Sequence, residues 1–152
     1  MLIKPITYTN FEGETVTTTA YFDLDSLEIM DLLASGFQDK LTRISELSTK
    51  SITPTNPEYA AALRDILYAM LDKAYGKREG ENFVKSIEVK NPDGSVKTVT
   101  AFSTWRNSLP CRTLIDNLVK SYDETAEFIQ SIFPQDLMHR EEVQNAIKSN
   151  QN

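Results

Sequence analysis

The stretch Phe22-Asp23-Leu24-Asp25-Ser26-Leu27-Glu28 marks an abrupt change of period, and it restricts the fold more than any other feature of the chain. Before it the chain alternates. Val16, Thr18, Ala20 and Phe22 fall on one side of an extended run, and Thr15, Thr17, Thr19 and Tyr21 on the other. β-Branched threonines suit a strand with one wet face. After it comes a complete helix start. Asp25 is placed as the N-cap, Glu28 follows three residues later as in a capping box, and Leu24 and Ile29 have the spacing of a hydrophobic staple. Gly36 can close this helix at its C′ position. A strand therefore runs almost directly into a helix.

The strand needs a partner. Residues 2–22 read as a β-hairpin in which Ile6 and Tyr8 alternate with threonines and Asn10-Phe11-Glu12-Gly13 supplies the turn. An isolated hairpin is only marginally stable, so this one must lie on helices or pair with a further strand. A second hairpin is expected near residues 83–100, with its turn at Asn91-Pro92-Asp93-Gly94.

Helical periodicity accounts for most of the remainder. Phe37, Leu41, Ile44 and Leu47 recur at helical spacing. Residues 48–57 are polar, contain two prolines and read as a connection. Asn56 then caps a long helix with Pro57 at its first position. Tyr59, Leu63, Ile66, Met70 and Ala74 form its apolar stripe, widened by Leu67 and Leu71. Arg64, Asp65 and Asp72 share the other face with Ala61 and Tyr68. Gly76 is expected to end this helix at C′, with Lys77 and Arg78 beside the negative end of its dipole, and Gly80 to turn the chain into a strand. Residues 101–133 are helical again. Pro110 either kinks one helix or starts a second, Ser121 and Glu124 repeat the capping-box spacing, and Pro134 is a stop. The fold class is α+β, mainly helical with two hairpins.

Composition limits what such a fold can do. The 152 residues are 40% hydrophobic and 25% charged, as expected of a folded domain, and the net charge is −6. Nucleic-acid binders usually carry a basic face, so neither DNA nor RNA is an expected partner. No apolar run approaches the ~20 residues of a spanning helix. The chain is therefore expected to be soluble and used inside a cell. Cys111 is the only cysteine, so no disulfide can form within the chain.

Few residues invite chemistry. AYGKREGENFVKS (residues 74–86) has two glycines and a Lys-Arg pair. A phosphate loop needs its lysine directly after the second glycine and a strand before the loop, whereas Glu81 follows Gly80 and a helix precedes. His139 and Cys111 are the only His and Cys, too few for a zinc cage, and no GxSxG elbow is present. Cys111 reads as a small core hydrophobe. Among the carboxylates Asp23, Asp25 and Glu28, the last two already have capping roles. No catalytic residue, metal or cofactor is expected. Two aromatics are candidates for protein contact. Tyr68 lies among charges on the polar side of the long helix. Trp105, like Phe102, either packs in the core or anchors a partner.

The order of the motifs carries further information. A short hairpin leads to FDLDSLE, a later helix ends in YG, FVKS follows after a small gap, then FSTW, then EFIQSIFP. In TYTNFEGETVTTTAYFDLDSLEIMDL (7–32), AYGKREGENFVKS (74–86), FSTW (102–105) and TAEFIQSIFPQDL (125–137) the chain resembles the tail assembly chaperones of long-tailed bacteriophages. It departs from them in the KREGEN loop, in the enlarged hairpin IEVKNPDGSVKTVT and at Pro110. The resemblance implies one chaperone-like domain over residues 1–137 and a polar tail, 138–152, partly helical or frayed. It implies a non-enzymatic protein of the infected host's cytoplasm that binds the tape measure protein, keeps it soluble and helps recruit tail tube subunits. It admits a homo-oligomer, and a longer frameshifted product that contacts the tube protein. A structural tail-completion or connector protein and a small cytoplasmic protein-binding adaptor are the competing readings.

Overall fold

The computed structural model describes residues 1–50 and 57–132. Strands β1 (Leu2–Thr9) and β2 (Thr15–Phe22) form the first hairpin, paired antiparallel from Leu2↔Phe22 to Thr9↔Thr15. Its turn is closed by the Asn10 N–H donating to Glu14 O and the Gly13 N–H donating to Asn10 O, with Gly13 at φ +84°. The turn Asn91–Gly94 repeats this arrangement, with Gly94 at φ +89°. In both, an Asn accepts the turn bond and a glycine takes the left-handed residue that other side chains resist.

Helix α1 (Ser26–Ala34) follows β2 with both bonds of the capping box. The Glu28 N–H donates to Asp25 Oδ1 at 2.8 Å, and the Asp25 N–H donates to Glu28 Oε1 at 3.1 Å. Leu24, Ile29 and Leu32 are buried beneath it. Helix α2 (Phe37–Lys50) buries the expected stripe of Phe37, Leu41, Ile44 and Leu47. It continues into the segment expected to be a connection. Helix α3 (Pro57–Ala74) buries the full predicted set, Tyr59 through Ala74, and packs against α1 and α2.

The largest departure comes after Ala74. Gly76 is not a helix cap. The chain passes from α3 straight into β3 (Tyr75–Glu79), which pairs with β2 through Tyr21↔Gly76 and Phe22↔Tyr75, and with β4 (Asn82–Val84) through Lys77↔Val84 to Glu79↔Asn82. Lys77 and Arg78 are consequently strand residues, and the helix-dipole role expected of them does not apply. Gly76 is required for closeness: a Cβ there would lie 2.7 Å from the Phe83 ring and 2.9 Å from Val84 O. Gly80, at φ +63°, makes the β3–β4 turn as expected. The result is a four-stranded sheet in the order β1-β2-β3-β4. The second hairpin is correspondingly shorter than its predicted span. It consists of β5 (Ser86–Lys90) and β6 (Val96–Thr100), a separate two-stranded ribbon, because residues 82–84 belong to the main sheet.

Residues 101–132 form three helices: α4 (Ala101–Trp105), α5 (Leu109–Val119) and α6 (Tyr122–Ile132). Pro110 starts a helix and does not kink one. It occupies the first turn of α5, where no backbone N–H is needed, and Ser108 Oγ accepts from the Cys111 N–H as the N-cap. Ser121 Oγ accepts from the Glu124 N–H at the start of α6, as the spacing predicts. Asn56, Phe133, Pro134, His139 and the tail 138–152 lie outside the described residues.

Gly76→Ala is expected to lower unfolding free energy by about 1–3 kcal/mol, the usual cost of forcing an atom into a filled space. Urea denaturation followed by circular dichroism measures this. An unchanged midpoint would show that β3 and β4 can separate freely at this position.

Candidate interaction surfaces

The sheet meets the helices through aromatic rings. Phe22 is completely buried. Its ring lies 5.9 Å from that of Tyr75, 6.1 Å from Trp105 and 5.4 Å from Phe128, the last two edge-on. Trp105 stacks on Tyr75 at 4.2 Å with 10° between planes. This is an arrangement in which each ring adds attraction beyond its buried area. Trp105 is half-buried, so its inner part belongs to the core and one edge reaches the surface.

Tyr68 is not the free surface residue expected from its place among charges. It is half-buried, edge-on to Phe102 at 5.6 Å, with the Arg106 guanidinium 4.8 Å above its ring. Its helical neighbours suggested solvent because α4 returns over α3, and nothing local to α3 signals that return. Tyr68 and Trp105 both contact Phe102, so the two candidates flank one buried ring.

Burial also governs the titratable groups here. It pushes the Cys111 thiol up to about 12, partly opposed by Arg106. Burial and then Cys111 push Tyr75 to about 12, and burial, then Tyr59 and Asp123, push Tyr122 to about 12. A thiol held protonated is a poor nucleophile, and Cys111 acts as a core residue. Among the described residues no group of three or more His, Cys, Asp or Glu is placed to hold a metal ion. No described helix is long and apolar enough to cross a membrane.

A groove of about 620 Å³ runs between the open edge of β1 and helices α5 and α6. Ile6, Leu118 and Phe128 line it, with Lys4 on the strand side and Glu124 and Glu127 on the helix side. The Asn10-to-Glu14 bond sets the alternation of the hairpin, which turns the N–H groups of Lys4 and Ile6 toward β2 and puts Pro5 on the open edge. A proline there has no N–H to offer an incoming strand. The groove thus discourages strand addition while leaving a shaped, partly acidic surface.

A protein-family model described as phage tail assembly chaperone matches residues 1–152. The chain belongs to this family. No curated protein and no solved structure gives a match. Membership places the chaperone in phage tail assembly, with protein partners. Its half-buried aromatics and its groove are therefore candidate contact surfaces for proteins.

The raised thiol and phenol values make stability depend on alkaline pH. Unfolded, Cys111 ionises near 9.0 and the tyrosines near 10.0, whereas in the fold all three hold their protons to about 12. The unfolded chain then carries fewer protons, so stability is full below pH 9 and falls as pH rises from 9 to 12. Melting temperature should drop steadily between pH 9 and 11, as measured by far-ultraviolet circular dichroism. A flat profile would show that these groups are solvated in the folded protein.

Proposed function

We propose that this chaperone is a non-enzymatic binder of the tape measure protein that keeps its client soluble and helps recruit tail tube subunits in the host cytoplasm. The match of residues 1–152 to the tail assembly chaperone family carries this reading. A long helical client exposes apolar stripes until it is coated, and such stripes aggregate. A protein that works by binding alone masks them by mass action, favouring the dispersed client in proportion to occupancy. Many copies along one client supply avidity that no single contact needs to provide. The charge of −6 per copy keeps the coated assembly dispersed. The exposed edges of Tyr68 and Trp105 are proposed contacts in this binding. A longer frameshifted product would bring the tube protein to the same client.

Co-expression tests the reading. The tape measure protein should be soluble with the chaperone and insoluble without it, the two should co-purify, and purified virions should lack the chaperone by mass spectrometry. Equal solubility of the client alone, or a failure to co-purify, would sink it. Tyr68→Ala is expected to weaken the complex severalfold and to lower stability as well, because the ring also packs edge-on to Phe102. Trp105→Ala should also cost about 3–5 kcal/mol of stability, because it empties the stack on Tyr75.

A further inference from the structure

Helix α1 is apolar on both sides. Its inner face buries Ile29 and Leu32. Its outer face should carry the charged residues usual on a surface helix. Instead it presents Leu27, 73% exposed, and Met30, 50% exposed. Among the described residues these are the only large exposed hydrophobics on a helix, the others lying at the N-terminus, in strands or in a turn. Leu27 and Met30 are three positions apart, so they stand side by side on the helix surface, and the exposed Ala34 extends the line by one further turn.

The helix that carries this pair is unusually well fixed. Besides the capping box, Lys85 Nζ donates to Glu28 Oε1 at 2.5 Å and to the Asp23 carbonyl at 2.6 Å. A rigid apolar ridge loses little entropy when it is covered. Its surroundings are acidic. Between Lys4 and Lys40 the chain has no Lys, Arg or His, and Asp23, Asp25, Glu28 and Asp31 fall in or beside α1. Asp23 is met by the N-terminal amine and Glu28 by Lys85. Asp25, the exposed N-cap, and Asp31, 71% exposed and 3.9 Å from Lys73, remain beside the apolar pair in contact with solvent.

We propose that the outward face of α1 docks an amphipathic α-helix whose apolar stripe is flanked by Lys or Arg, with Leu27 and Met30 meeting the stripe and Asp25 and Asp31 meeting its basic flanks. An anionic membrane would be repelled by this rim, and an added strand would need an open backbone edge that a helix does not have. A straight ridge on one helix matches the groove of another. Assigning this docked helix to the client rests on the tape measure reading above. On that reading Met30 has a further use, because a flexible thioether adapts to stripes that differ along a long chain.

The test uses the full chain and a synthetic helical peptide about three heptads long, with a leucine stripe flanked by lysines, beside a twin flanked by glutamates. The lysine peptide should slow hydrogen exchange across residues 26–34 and bind at least tenfold tighter than its twin. Leu27→Glu combined with Met30→Glu should remove at least tenfold of that affinity. Asp31→Lys should narrow the preference for the lysine peptide. Because these side chains are exposed, the variants should melt as the parent does, and the exchange measurement on the parent needs no variant. Protection confined to other elements, or affinity within twofold in the double variant, overturns the proposal. If the peptide docks on α1 but the tape measure protein never co-purifies, the surface stands and the client reading fails. If the client co-purifies undiminished with the double variant, the client reading stands and the assignment of α1 to it is overturned.

Discussion

Phe22 is where the architecture converges. It is the last residue of β2, it is fully buried, and its ring touches rings from β3, α4 and α6. The main-chain link between β2 and β3 is short, only Tyr21↔Gly76 and Phe22↔Tyr75, with the Asp23 N–H donating to Ala74 O just beyond it. Two ladder pairs would hold a sheet together poorly. Side-chain burial holds them instead: Tyr75 carries the stack with Trp105, and Phe22 closes it edge-on. The sheet and the C-terminal helices therefore share one core.

This junction also places the outer surfaces. Because β2 ends at Phe22 and α1 begins four residues later, the orientation of α1 is set by the same buried ring. Lys85, between β4 and β5, reaches back to α1, and its carbonyl accepts from the Ala101 N–H at the base of the β5–β6 ribbon. Glu28 thus receives both the backbone bond of the capping box and the Lys85 ammonium. A charge-assisted bond at a partly buried site is among the stronger single polar contacts available.

Much of this was legible in the chain because it is local. The capping box of Asp25 and Glu28, the seven-residue buried stripe of α3, the two Asn-to-Gly turns and the Ser121 cap of α6 all depend on residues within a few positions of one another. The errors share the opposite character. Gly76 looked like a helix cap because glycine after a helix usually is one, but its role is set by Phe83, seven residues on and in another strand. Tyr68 looked exposed because its helical neighbours are charged, but Phe102 and Arg106 from α4 cover it. The second hairpin looked longer because Asn82–Val84 has strand character, and only the pairing with β3 assigns it to a different sheet.

The sequence by itself determined the first hairpin, the main helical stripes, several caps and turns, and the family, since each is written in local spacing or in the order of motifs. It also determined that the chain is acidic. The tertiary structure alone decided which strands pair, why Gly76 must be glycine, how far Tyr68 and Trp105 are covered, and which apolar residues stay outside. The reason is that strand pairing and burial join residues far apart in the chain. Leu27 and Ile29 are both apolar residues of one helix, and only the packing of the rest of the chain buries one and leaves the other in solvent.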